Sequence, residues 1–197
     1  MATALQLPRV EPAPFPRRKL FTRQECARLQ GIVDLERYEL IAGDLIEKVG
    51  KNRPHMLADQ AVLSWLMGVF GGSLVLTEPS IDLRPEDNPT TELQPDLLVL
   101  NRPLREIESR PGPPDIALVV EVSDSTLAFD LSVKRDLYAR AAIADYWVLD
   151  VNARRVIVHR EPVAGSYQSI IAYLEHDHVA PLGAPAHQGI VSELLSI

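Results

Sequence analysis

The chain has 197 residues, 46% of them hydrophobic and 24% charged, which is enough apolar material for one compact core. Its formal net charge of -7 excludes a general, basic nucleic-acid binder, so any such contact needs a local basic patch or divalent cations. The single cysteine, Cys26, excludes an intramolecular disulfide and points to a reducing, cytoplasmic setting; no stretch is apolar enough to cross a membrane, and no signal-peptide layout is present.

Residues 1–19 are rich in proline and arginine and predict an extended arm ahead of one domain over 20–197. In "FTRQECARLQGIV", Thr22 stands at a helix N-cap with Glu25 three residues later, a capping box that opens a short helix. Cys26 is expected there as a small core residue. "RYELIAGDLIEKV" predicts two short strands around Ala42-Gly43-Asp44. Over 55–70, Ala58, Val62, Trp65, Leu66 and Val69 recur at helical spacing, and Gly71-Gly72 ends that helix. "SLVLTEPSIDLRPE" predicts two strand pieces broken near Pro79, followed by a loop.

"QPDLLVLN" is the next strand, and a proline-rich loop runs through Pro114. "IALVVEVSDST", residues 116–126, starts as a fully buried strand and then meets Glu121. "STLAFDLSVKRDLYARAA" predicts a helix, "DYWVLDV" a strand, and "RVIVHRE" its hairpin partner across Asn152-Ala153. One more strand, "SYQSIIAYLE", precedes a loop with Pro181 and Pro185. This order predicts an α/β sandwich around a mixed sheet.

A buried carboxylate at Glu121 must be protonated or hold a partner. Asp96 follows Pro95 at the start of another apolar strand, on the face of Leu98 and Leu100. If the two strands are neighbours, the carboxylates lie side by side, an arrangement that calls for a cation and suits magnesium. Lys134 falls among Leu131, Leu137, Tyr138 and Ala141 on the apolar side of its predicted helix, with Asp130 one turn earlier. His55 and Asp59 are four apart near the inward side of the earlier helix. Taken singly, each residue has a bland explanation: a turn cap, a structural ion pair, a helix start. Together, two strand carboxylates and an inward lysine make a metal-plus-ammonium site suited to water attack on a phosphodiester.

"PD" at 95–96 and "EVS" at 121–123 resemble the PD-(D/E)XK nuclease superfamily. More closely, "YELIAGDLIE", a histidine, "QPDLLVL", "VVEVSDST" and "ADYWVLD", in that order, resemble the Uma-two family of restriction-endonuclease-like proteins over roughly 20–170. The resemblance implies a restriction-endonuclease-like core, a mixed sheet flanked by helices, with added N-terminal and C-terminal hairpins. It implies Mg2+, or Mn2+ in its place, held by Asp96, Glu121 and the Val122 carbonyl, with Asp96, Glu121 and Lys134 catalytic and Glu39, His55 and Asp130 in support. Ser123 occupies the motif's lysine position, and the resemblance implies that Lys134 supplies that function from the following helix.

The leading expectation is therefore a metal-dependent endonuclease acting on DNA. Arg17, Arg18, Lys19, Lys51 and Arg53 are candidates for a basic rim, and a homodimer suits a double-strand cut. A non-catalytic nucleic-acid or protein binding module that keeps the nuclease fold is the alternative, and Ser123 is the feature that favours it. A zinc site built on "EHDH", residues 175–178, is a third reading, outweighed by the polar, cysteine-free surroundings.

Overall fold

The computed structural model describes residues 18–32 and 34–196; the expected arm, apart from 18 and 19, lies outside them. Its centre is a six-stranded sheet in the order β3-β4-β5-β6-β7-β8. The strands are β3 (Val75–Thr77), β4 (Leu97–Leu100), β5 (Ile116–Ser123), β6 (Asp145–Asp150), β7 (Arg155–Val163) and β8 (Ser166–Tyr173). β5 and β6 run parallel and every other neighbouring pair is antiparallel, so the sheet is mixed. A parallel pair needs a crossover, and the predicted helix supplies it. That helix is not uniform: α3 (Leu127–Phe129) passes into a π-helical turn (Asp130–Lys134) and then α4 (Arg135–Arg140).

β5 is apolar on both sides because both of its faces are covered. Leu118, Val120 and Val122 pack with Leu97, Val99 and Trp147 beneath Ala58, Val62 and Leu66 of α2 (Arg53–Phe70). On the other face Val119 joins Leu98, Leu100 and Tyr146 beneath Leu137, Tyr138 and Ala141. Ala117 packs on the α2 side, because the β4–β5 register shifts between Val99 and Leu100. Glu121 thus projects into the layer between the sheet and the crossover helix.

The capping box is present: the Glu25 N–H donates to Thr22 Oγ1 at 3.1 Å and the Thr22 N–H to Glu25 Oε2 at 2.9 Å, opening α1 (Arg23–Leu29). The helix has no buried residue, however, so Cys26 is a half-buried surface residue rather than a core one. β1 (Tyr38–Ile41) and β2 (Asp44–Glu47) form the predicted hairpin around Ala42 and Gly43, whose φ angles are 50° and 86°. Two consecutive positive φ values give the turn the twist that tight hairpins need.

Two further sequence expectations fail. The strand piece expected after Pro79 is irregular chain, although Ile81 and Leu83 are buried. Pro79 has no N–H to give a ladder, and Glu78 at φ 48° turns the chain off the sheet. The Ile81 and Asp82 N–H groups donate instead to the Leu93 and Pro111 carbonyls, at 3.2 and 2.8 Å. The C-terminal loop, in turn, contains β9 (His178–Val179), β10 (Gly189–Ile190) and α5 (Val191–Leu194). Val179, Val191 and Leu194 bury themselves with the α2 cluster, but elements this short carry no readable period.

Candidate active site

β4 and β5 pair antiparallel with Leu97 opposite Val120 and Leu98 opposite Val119, so Asp96, one residue before β4, comes beside Glu121. The Val122 N–H donates to Asp96 Oδ2 at 2.8 Å and ties the two strand ends together. The N–H and C=O of a strand residue point to the same edge, so the Val122 carbonyl also lies on the Asp96 side. The first turn of α2 adds His55, whose Nε2 is 3.7 Å from Asp96 Oδ2. Asn52 caps that turn by accepting the His55 N–H at 3.1 Å.

Lys134 enters from the π-helical turn. Its Nζ is 3.1 Å from both Glu121 Oε1 and Glu39 Oε2 and 3.9 Å from Asp130 Oδ1, with only 8% of the side chain exposed. Tyr138, four residues on, donates its hydroxyl to Glu121 Oε1 at 2.8 Å. Glu121 Oε2 has no hydrogen-bond partner among the described residues. Asp130 Oδ2 accepts from Ser123 Oγ and Thr126 Oγ1, both at 2.7 Å. Glu39 is presented by β1 and held by the Gln94 N–H, which donates to its Oε1 at 2.9 Å.

All seven expected site residues, Glu39, His55, Asp96, Glu121, Val122, Asp130 and Lys134, line one cleft with a cavity of about 120 Å³. The structure also brings in Lys51, Glu78 and Tyr138. Lys51 Nζ lies 2.8 Å from Asp96 Oδ1 and 2.6 Å from Glu78 Oε1. Tyr138 was legible as an apolar-face neighbour of Lys134, whereas Lys51 and Glu78 belong to irregular segments that carry no periodic signal. His55 and Asp59 do not pair as their spacing suggested. His55 Nδ1 and Asp59 Oδ1 are both buried without a hydrogen-bond partner.

Of the basic residues expected at the rim, Lys51 alone lines the cleft among the described residues, and Arg17 lies outside them. Arg18 and Lys19 pair with Asp44 and Glu25 instead. The "EHDH" stretch gathers no metal cage: His176 and His178 are exposed and Glu175 pairs with Arg154 at 2.5 Å.

The family model described as "Putative restriction endonuclease", Uma2, matches residues 23–194. The chain belongs to this family. No curated protein matches it. Its fold is similar to that of a putative nuclease belonging to DUF820 from Anabaena variabilis ATCC 29413, with a TM-score of 0.64 and 16% identity over 89% of this chain and 98% of that one.

The cleft of this Uma2 chain is electrostatically divided. Burial drives the Asp96 carboxyl upward, but His55, Lys51 and the Val122 N–H outweigh it and hold Asp96 well below the usual carboxylate range. Burial also pushes Glu121 well above its ordinary value, and Lys134 only partly offsets this because Asp130, Asp96 and Glu39 repel a further negative charge. Burial alone would lower the Lys134 pKa, yet Glu121, Glu39 and Asp130 raise it and keep the ammonium charged. Asp96 is thus the carboxyl whose charged form the cleft favours, while burial opposes ionisation of Glu121.

The side chains along the cleft offer oxygens of the kind that suit a hard cation. Seven carboxylates and three ammonium groups line the cleft, an acidic excess that draws cations and repels a bare phosphate chain. Among the described residues no group of three or more His, Cys, Asp and Glu side chains could hold a metal ion. Two carboxylates and one backbone carbonyl, all hard oxygens, suit magnesium, which keeps several of its own waters. Asp96, Glu121, whose Oε2 has no hydrogen-bond partner among the described residues, and the Val122 carbonyl would supply those oxygens.

Proposed function

We propose that the protein is a Mg2+- or Mn2+-dependent endonuclease that hydrolyses DNA phosphodiester bonds at this cleft. The observation that carries the reading is the buried Lys134 ammonium, held against Glu121 on the strand that also supplies Asp96's Val122 partner. A buried lysine shared among carboxylates is a costly arrangement for a purely structural pair, and clefts with such perturbed groups favour function.

Asp96, Glu121 and the Val122 carbonyl would hold the ion; when bound, it would acidify a water and offset the charge of the phosphate. Lys134 would direct its ammonium at the attacking water or at the oxygen that gains charge, an electrostatic contribution that a dry cleft strengthens. Glu39 and Asp130 fix that ammonium from either side, so little reorganisation is needed as charge develops. Tyr138 pins Glu121 through Oε1 and makes no bond to Oε2. His55 and the Val122 N–H orient Asp96. Two such sites in a homodimer would cut both strands of a duplex.

A specific observation favours the alternative, a non-catalytic module: Asp96 is already paired with the Lys51 ammonium at 2.8 Å, a partner that needs no metal. The test compares wild type with Glu121→Ala for Mg2+- or Mn2+-dependent cleavage of mixed single- and double-stranded DNA. The expected result is cleavage by wild type that Glu121→Ala loses. No cleavage by wild type with either metal would favour the binding module, and equal cleavage by both proteins would overturn the role of Glu121.

A further inference from the structure

Lys51 is a cleft cation that the mechanism above leaves unused, and the one that contacts Asp96. It stands in the irregular segment 48–52 between β2 and α2, with 31% of its side chain exposed. Its ammonium bridges Asp96 Oδ1 at 2.8 Å and Glu78 Oε1 at 2.6 Å. Glu78 is fixed on that edge by its own backbone: φ is 48°, and its N–H donates to the Asp96 carbonyl at 3.0 Å.

The two oxygens of Asp96 have separate partners. Oδ2 takes the Val122 N–H and faces His55, whereas Oδ1 faces Lys51. Moving Lys51 therefore frees one oxygen and leaves the other anchored. A divalent ion and an ammonium cannot both sit on Oδ1, because like charges at such separations repel strongly. Of the two nearby lysines only one can yield. Lys134 is buried among three carboxylates, while Lys51 is a hydrated point charge on a flexible stem beside open solvent.

We infer that Lys51 is an exchangeable counter-cation: it neutralises Asp96 until a divalent ion arrives, then swings off Asp96, anchored by Glu78, and contacts phosphate oxygens of the nucleic-acid strand. This rests on the metal-dependent reading of the same cleft. It also resolves the conflict between an acidic cleft and a polyanionic substrate, since metal arrival releases a positive charge towards the phosphate.

The test uses the full chain and the variants Lys51→Met, Lys51→Arg and Glu78→Gln. Calorimetric titration with MnCl2 measures metal affinity, and titration with thymidine 5′-monophosphate at saturating Mn2+ measures phosphate binding. Lys51→Met is expected to bind Mn2+ about fivefold to tenfold more tightly and the nucleotide about tenfold more weakly, with Lys51→Arg within about threefold of wild type for the nucleotide. Glu78→Gln is expected to weaken Mn2+ binding, because Lys51 loses its alternative anchor. A Lys51→Met protein with unchanged or weaker Mn2+ affinity, or with unchanged nucleotide affinity, overturns the inference and leaves the metal reading standing. A wild type that binds no Mn2+ overturns the metal reading, and this inference with it.

Discussion

Replacing Lys134 by methionine keeps most of the stem and deletes the ammonium. Three buried carboxyls, Glu39, Glu121 and Asp130, then lose the cation that lies 3.1, 3.1 and 3.9 Å from them. Removing one partner of a buried ion pair costs about 3–5 kcal/mol, a large share of the roughly 5–15 kcal/mol that a domain has in total. The cost should depend on pH, and its sign follows from the carboxyls. Burial already raises Glu121 and Asp130 above the 4.5 and 3.8 of free groups, against the pull of Lys134. Without Lys134 both rise further, so the folded variant holds protons that its unfolded chain releases. Stability from those protons is present below 3.8–4.5 and is lost as pH climbs through the raised values.

Urea unfolding at pH 5 and pH 8 measures this. Lys134→Met should lose about 3–5 kcal/mol at pH 8 and clearly less at pH 5. Adding Glu121→Gln removes one of the stranded charges and should restore at least about 1 kcal/mol at pH 8, the size of coupling expected between contacting groups. A single variant that loses under about 1 kcal/mol, equally at both pH values, would refute the reasoning and make Lys134 a solvated surface pair.

Two further outcomes follow from the fold that carries the site. Gly43→Ala should cost about 1–3 kcal/mol and lower Tm by several degrees, because φ is 86° and a new Cβ would sit 2.7 Å from Leu20 Cβ; an unchanged melting curve would show that the hairpin presenting Glu39 tolerates strain there. His159 lies against the rings of Tyr146 and Tyr167, and burial lowers its pKa from 6.5 to about 4. The unfolded chain therefore binds that proton first, and wild type should lose about 2 kcal/mol as pH falls from 6.5 towards 4, allowing for partial solvation. His159→Phe should remove that loss, and parallel stability curves for the two proteins would show that His159 does not carry it.

The parts of the site that were legible in the sequence are those where a charge interrupts an apolar period. Glu121 breaks a run buried on both faces, and Lys134 breaks the inward stripe of a helix, so each announced itself by being costly where it stands. Asp96 became legible through its strand, because the alternation of Leu98 and Leu100 fixed its side. Sequence spacing was less informative for His55 and Asp59, since four residues along a helix bring side chains near without making them partners. Lys51 was legible only as one of several candidate rim cations, and Glu78 left no trace, because the contacts of both depend on backbone geometry in irregular chain. The alternation around Ile81 and Leu83 misled for a related reason: those side chains are buried by a loop that docks on its neighbours, and burial alone does not make a ladder.

The position of Lys134 has a geometric logic of its own. Ser123 is two residues beyond Glu121, so both side chains leave β5 on the face that meets the crossover helix. A lysine at 123 would enter that layer from the sheet. Serine leaves the volume open and donates its hydroxyl to Asp130 Oδ2 at 2.7 Å, joining strand to helix where the π-helical turn begins. The wider π turn is a device that proteins keep chiefly at functional sites. Here it directs both Asp130 and Lys134 into the buried layer, four residues apart, while Tyr138 one step further reaches the same Glu121 oxygen. The ammonium is therefore placed by the acids that surround it, Glu39 from the hairpin, Glu121 from the strand and Asp130 from the helix. Any element able to deliver a lysine into that triangle satisfies the same electrostatic demand, which is why the loss of lysine at 123 does not by itself imply the loss of the site.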